Sequence, residues 1–76
     1  MTERTTDFRL RAYGRTELAQ LYSPHLSAGA AWQKLRAWIS LYPGLTDQLS
    51  AAGYTPRLRM FTPRQVRMIV EALGEP

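Results

Sequence analysis

The sequence predicts a mainly α-helical domain with a small two-stranded β ribbon. Two observations lead to this fold class: four segments repeat their apolar residues at helical spacing, and two short segments alternate apolar with basic residues. Turn and capping residues separate these segments and give the order strand, helix, helix, helix, strand, helix. A chain of 76 residues is the size of one domain.

The first strand is predicted close to the N-terminus. Residues 1–7 are polar and without periodicity, so we expect them to form a disordered lead. Residues 8–13 alternate apolar and basic side chains, which is typical of a half-buried strand, and Gly14 ends it. The single domain is therefore predicted to span residues 8–76.

Two helices follow, at residues 15–22 and 28–40, joined by a tight turn. Pro24 disfavours helical geometry at the residue before it, and Ser27 is a suitable N-cap for the second helix. The second helix has the clearest amphipathic pattern in the chain. The expected apolar faces contain Leu18, Leu21 and Tyr22 in the first helix and Ala28, Ala31, Trp32, Leu35, Trp38 and Ile39 in the second.

The last two helices are predicted at residues 45–52 and 63–73. Gly53 follows the shorter one at the position where a left-handed residue commonly ends a helix. The longer one begins at a capping box, in which Thr62 is the N-cap and Gln65 the partner three residues later. The capping box makes the start of this helix the best defined in the sequence.

The second strand is predicted at residues 57–61, where arginines alternate with apolar residues. Neither short strand is stable alone, so the two are expected to pair over the helices. This arrangement is that of a winged helix-turn-helix domain, with helices 15–22 and 28–40 as the pair. The residues expected to face the core are Phe8, Leu10, Ala12, Leu58 and Met60, which puts Arg9, Arg11, Arg57 and Arg59 on the opposite face.

The charges favour an anionic partner. The net charge is +4, and the cations are nine arginines against one lysine. Arginine binds phosphate or carboxylate through a planar fork. Clustered arginines on a ribbon repel one another, and a phosphate backbone would neutralise them. The alternatives are codon usage for the arginine bias, and side chains that splay into solvent, where screening makes the repulsion trivial.

The predicted partner is double-stranded DNA, contacted through phosphates. The polar face of helix 28–40 carries residue types that touch phosphates and base edges, although an ordinary solvated face has a similar composition. Four to six arginine contacts predict that log affinity falls against log salt with a slope of roughly −4 to −5. The predicted contact residues are Arg9, Arg11, Arg15, Gln33, Lys34, Arg36, Arg57 and Arg59.

The alternative function is a protein-interaction module or a homodimer. Trp32 and Trp38 lie near opposite edges of the apolar arc, so at least one of them is expected to be partly exposed. If Trp38 joins Tyr42 or Tyr22 at the surface, the aromatic patch favours a protein partner. Such a module could be an accessory to a mobile-element or phage-like machine.

Catalysis is not expected. His25, the only histidine, has no neighbouring carboxylate or cysteine in the sequence, and the six carboxylates show no metal-ligand spacing. We therefore expect no enzyme activity, no metal, no cofactor and no small-molecule substrate. There is no cysteine, no apolar leader and no apolar stretch of the length of a membrane span, so a cytoplasmic protein without membrane contact is expected.

The chain resembles an uncharacterised family of small proteins from anaerobic gut bacteria, a domain of unknown function. The resemblance rests on YGRTELAQLY at residues 13–22, FTPRQV at residues 61–66 and LGEP at residues 73–76, together with the tryptophans of helix 28–40 and Gly53-Tyr54. A looser likeness connects TELA and FTPRQV to the mercury-resistance regulator class and to phage excisionases. Those are winged-helix DNA binders, and the likeness implies a similar fold.

Overall fold

The residues that the structure describes form four helices and one two-stranded antiparallel sheet. The computed structural model describes residues 8–76, and the disordered lead predicted for residues 1–7 lies outside them. The predicted fold class and element order are confirmed. The elements are β1 (Tyr13–Gly14), α1 (Arg15–Tyr22), α2 (Ala28–Leu41), α3 (Leu45–Ala51), β2 (Met60–Phe61) and α4 (Pro63–Leu73).

The helix ends lie within a residue of their predicted positions because capping groups define them. The Ser27 hydroxyl accepts a hydrogen bond from the N–H of Ala30 and opens α2. Gly53 has a φ of 93°, which glycine adopts without strain, and it follows the end of α3. At the start of α4, Thr62 and Gln65 form the predicted capping box, with bonds of 2.9 and 3.2 Å.

The strands are much shorter than the sequence predicts. Tyr13 pairs with Phe61 and Gly14 with Met60, and the ladder contains only these two pairs. The strands predicted at residues 8–13 and 57–61 are therefore wrong in length. The N-terminal segment instead folds onto Tyr13, whose hydroxyl donates to the Arg9 carbonyl oxygen at 2.8 Å and whose ring stacks on Phe8 at 5.4 Å.

The predicted inward face of the ribbon is also wrong. Met60 is 54% exposed, whereas Phe61 beside it is fully buried. Leu10 and Leu58 are exposed, Phe8 and Ala12 are partly buried, and Tyr13 lies in the core. Aromatic rings bury more apolar surface than the aliphatic side chains, so Tyr13 and Phe61 take the inner positions once each strand has only two residues.

The core lies between the four helices and beneath Phe61. Its fully buried side chains include Leu18, Leu35, Leu49 and Ile69, contributed by the four helices in turn. Leu21 of α1 is exposed, contrary to the expected apolar face. Among the described residues, no helix combines the length and apolar character that crossing a bilayer requires.

Gln65 connects the end of α3 to the start of α4. Its side chain is buried, its oxygen accepts from the N–H of Thr62, and its Nε2 donates to the Ala52 carbonyl oxygen at 3.0 Å. The buried amide is therefore paired at both its oxygen and its nitrogen, as burial of a polar group requires. This contact fixes both ends of the connection that carries the arginines of residues 57–59.

Candidate nucleic-acid interface

The 54–59 loop, between α3 and β2, is anchored at both ends. At one end the Tyr54 N–H donates to the Leu49 carbonyl oxygen at 2.9 Å. At the other end the Arg15 N–H donates to the Arg59 carbonyl oxygen at 2.8 Å, and the Arg15 guanidinium donates to the Pro56 carbonyl oxygen at 3.2 Å. The loop is thus bound to the first residue of α1.

An aromatic floor supports this loop. The Tyr54 ring stacks on Phe61 at 5.2 Å, and Phe61 lies 6.1 Å from Trp32 of α2. The Arg15 guanidinium carbon is 5.0 Å from the centre of the Trp32 ring, within the range of a cation–π contact. Arg15 therefore joins α1, α2 and the loop, while the side chains of Arg57 and Arg59 remain exposed.

A cleft of about 180 Å³ lies where α2, α3 and the 54–59 loop meet. Arg36 and Ser40 contribute one wall, from the exposed side of α2, and Pro56 contributes another. Arg57 directly follows Pro56 in the chain, so the loop that carries Arg57 and Arg59 meets α2 at this cleft. The lining residues are Trp32, Arg36, Ile39, Ser40, Thr46, Leu49, Tyr54 and Pro56.

The solvent-facing side of α2 leads into this cleft. Gly29, Gln33, Arg36 and Ser40 are all exposed, and their spacing of four, three and four residues places them in one stripe along the helix. We call this the α2 stripe. A Cβ added at Gly29 would meet no atom within 4 Å, so the N-terminal part of the stripe is open to a close approach.

Five of the eight predicted contact residues belong to the three segments that meet at or beside this cleft. They are Gln33 and Arg36 in the α2 stripe, Arg15 at the start of α1, and Arg57 and Arg59 in the loop. We call this set the cationic face. The structure does not bring Arg9, Arg11 or Lys34 into it.

Arg11 is engaged in an ion pair. Its Nη2 lies 3.0 Å from Oε2 of Glu17, and its guanidinium carbon lies 3.8 Å from the centre of the Tyr13 ring. The other carboxylate oxygen of Glu17 accepts from the N–H of Gly14 at 3.0 Å. The hydrogen bond from Arg11, followed by that from Gly14, lowers the pKa of Glu17, and the bond to Glu17 raises the pKa of Arg11.

Arg9 and Lys34 also lie away from the cationic face. Arg9 is in the N-terminal segment that folds onto Tyr13, where its carbonyl oxygen accepts the tyrosine hydroxyl. The Lys34 Nζ lies 5.2 Å from the centre of the Trp38 ring. Strand alternation predicted one ribbon face carrying Arg9, Arg11, Arg57 and Arg59, and the structure does not form it. The paired strands contain only residues 13–14 and 60–61, so all four arginines lie outside the ribbon.

Replacing Glu17 with Gln is expected to lower the melting temperature slightly at pH 7, on the order of 2 °C, because the pair is exposed. A carboxylate with a lowered folded pKa stabilises the fold above its ordinary value near 4.5, and the contribution disappears as pH falls through the lowered value. The difference between wild type and variant should therefore vanish in acid. Thermal melts from pH 7 to pH 2.5 measure this, with Glu71→Gln as the control; an undiminished difference at pH 2.5 contradicts the assignment.

Two arginines of α4 were missed by the sequence analysis. Arg64 and Arg67 line a second cleft, of about 300 Å³, together with Leu10 and Pro63. Their spacing of three residues places them on one helix face, which was a usable signal. The segment was interpreted only as a capping motif. These residues form a separate basic surface from the cationic face.

Comparison with known proteins gives a family. The family model described as Domain of unknown function (DUF4248) matches residues 9–76, so the chain belongs to this family. The resemblance to an uncharacterised domain family is thereby confirmed. Neither the curated proteins nor the solved structures give a match to this chain.

Proposed function

We propose that this member of the DUF4248 family binds double-stranded DNA as a winged helix-turn-helix domain. In this proposal α1 and α2 are the helix pair and the 54–59 loop is the wing. The observation that carries the proposal is the cleft in which Arg36 of α2 and Pro56 of the loop share walls. The cleft brings Arg36 next to the loop that carries Arg57 and Arg59, although these segments are distant in the sequence.

The arginines supply the phosphate contacts. A guanidinium presents five N–H donors in a plane and can bind two phosphate oxygens at once. Arg57 and Arg59 are exposed, and the Arg15 guanidinium donates one hydrogen bond to Pro56, so further donors remain for a ligand. Because the loop is already hydrogen-bonded to α1, little ordering is required when it binds, which favours affinity.

The α2 stripe is the part of the surface that can enter a groove. Gln33 has an amide that can pair with a base edge, and the small residues before it allow the helix to approach the backbone. Phosphate contacts position a protein on DNA without reading its sequence. We therefore propose that the arginines account for most of the affinity and that the stripe sets the orientation.

The proposal predicts a salt-dependent interaction with duplex DNA. If Arg15, Arg36, Arg57 and Arg59 each contact one phosphate, log affinity falls against log salt with a slope of about −3.6. Fluorescence anisotropy with a labelled duplex, titrated at several salt concentrations between about 50 and 200 mM, measures this slope. Binding that does not change with salt, or no binding at low salt, rejects the proposal.

A further inference from the structure

A patch of exposed apolar side chains lies away from the cationic face. It consists of Trp38, Leu41 and Tyr42 at the end of α2, beside the partly buried Tyr22 at the end of α1. Trp38 is 36% exposed and Leu41 is 79% exposed. Spacings of three and four residues place Leu41 and Tyr42 next to Trp38. A contiguous apolar patch of this kind is typical of an interaction surface.

The aromatic patch is already ordered in the monomer. The Tyr22 and Trp38 rings meet edge to face, with centres 6.2 Å apart and planes at 84°. The Tyr22 hydroxyl donates to the Gly74 carbonyl oxygen, which ties the end of α1 to the end of α4. Rings held in this way lose little freedom when a partner covers them.

Opposite charges lie beside the two aromatic rings of the patch. The Lys34 ammonium lies 5.2 Å from the centre of the Trp38 ring. Glu75 follows Gly74, and burial together with the negative charge of Glu75 raises the pKa of Tyr22 to about 12. The cation is therefore a neighbour of Trp38, and the carboxylate is a neighbour of Tyr22.

We propose that a second copy of this chain docks on the aromatic patch to form a two-fold symmetric dimer. In such a dimer the same surface serves on both subunits, so it must be complementary to itself. A 180° rotation about an axis that passes between Tyr22 and Trp38, perpendicular to the line joining them, places Lys34 of one copy opposite Glu75 of the other, twice. The aromatic rings and Leu41 then cover one another at the centre, where aromatic residues contribute most to binding.

This inference does not depend on DNA binding, and it gives Lys34 a different role from the phosphate contact predicted from the sequence. A cation beside Trp38 is placed to meet a carboxylate across the dimer interface. A self-complementary order of charges distinguishes a second copy from an unrelated partner, for which no such order is required.

The first test compares two substitutions that add the same charge at exposed apolar positions. Leu41→Glu lies in the patch, and Met60→Glu, at a 54% exposed position on β2, is the matched control. Sedimentation equilibrium from about 1 to 200 μM should show twice the 8.7 kDa chain mass for wild type and Met60→Glu, and a dissociation constant raised at least about tenfold for Leu41→Glu. A wild type that stays monomeric, or two variants that behave alike, overturns the proposal.

The second test reverses the charges of Lys34 and Glu75, which lie beside Trp38 and Tyr22. Lys34→Glu and Glu75→Lys should each weaken self-association by about tenfold, because each homodimer then contains two repulsive pairs. An equimolar mixture of the two variants should associate again, since both pairs are then attractive. Failure of the mixture to recover rejects the two-fold arrangement. If the wild-type protein dimerises but does not bind duplex DNA, the proposed function is rejected and the dimer proposal stands.

Discussion

Replacing both Arg57 and Arg59 with Gln is expected to weaken duplex DNA binding about a hundredfold at low salt. A hydrogen bond from a charged group contributes about 1.5 kcal/mol or more, which is about tenfold for each residue. The salt slope should also become shallower by about 1.8, because two phosphate contacts are lost. Anisotropy titrations at several salt concentrations measure both effects, and the difference from wild type should shrink as salt rises.

The matched control is the double variant Arg64→Gln with Arg67→Gln. It removes the same charge from the second basic cleft, which Leu10 and Pro63 also line. If the cationic face is the DNA surface, this control should lose much less affinity than the loop variant. An equal loss in the two variants would show that binding follows net charge alone, and the assignment of the loop as a wing would then be wrong.

Phe61→Ala is expected to destabilise the fold by about 3–5 kcal/mol. Phe61 is fully buried, stacks on Tyr54 and lies against Trp32, so its removal leaves a cavity at the centre of the core. A domain of this length has a total stability of about 4–11 kcal/mol. The melting temperature should fall by about 15 °C or more, which circular dichroism measures.

Met60→Ala on the same strand is the control for this prediction. Met60 is 54% exposed, and its truncation should change stability by less than about 0.5 kcal/mol. The two substitutions also test the direction of the strand. If the inward face predicted from sequence alternation were correct, Met60→Ala would be the damaging change and Phe61→Ala the mild one.

The helices could be predicted from sequence because their ends are defined locally. Ser27 and the Thr62–Gln65 capping box act within three residues, and Gly53 acts through its own backbone conformation. The exposed edge of α2 was also predictable, since helical periodicity places Trp38 at the border of the apolar arc. Leu21 shows what helical periodicity cannot predict. The pattern places Leu21 on the apolar face of α1, but it does not say which part of that face the other helices cover.

The strands could not be predicted because their extent depends on tertiary contacts. Alternation over residues 8–13 is compatible with a strand, but only Tyr13 and Gly14 find a partner in β2. The register followed from the burial of two aromatic rings, and no local pattern distinguishes that arrangement from its inverse. Four of the predicted contact residues, Arg9, Arg11, Arg57 and Arg59, were assigned to one face on this basis.

The kinds of residue in the candidate site could be predicted from the sequence, but their positions relative to one another could be predicted only in part. Arginine abundance indicated an anionic partner from composition alone. The contact of Lys34 with Trp38 was available from their spacing of four residues in one helix. The pairing of Arg11 with Glu17 spans a strand and a helix start, and it depends on geometry that no local pattern encodes. The meeting of Arg36 with the 54–59 loop depends on how α2 and α3 pack.

The pairing of β1 with β2 has a kinetic consequence. It joins Tyr13 to Phe61 across most of the chain, so forming it closes a long loop, with an entropic cost that is repaid only after the intervening helices have packed. The 54–59 loop is hydrogen-bonded to Arg15, immediately beside this ribbon. The surface proposed to hold DNA should therefore be assembled last during folding, and the contacts within α1 and α2 first.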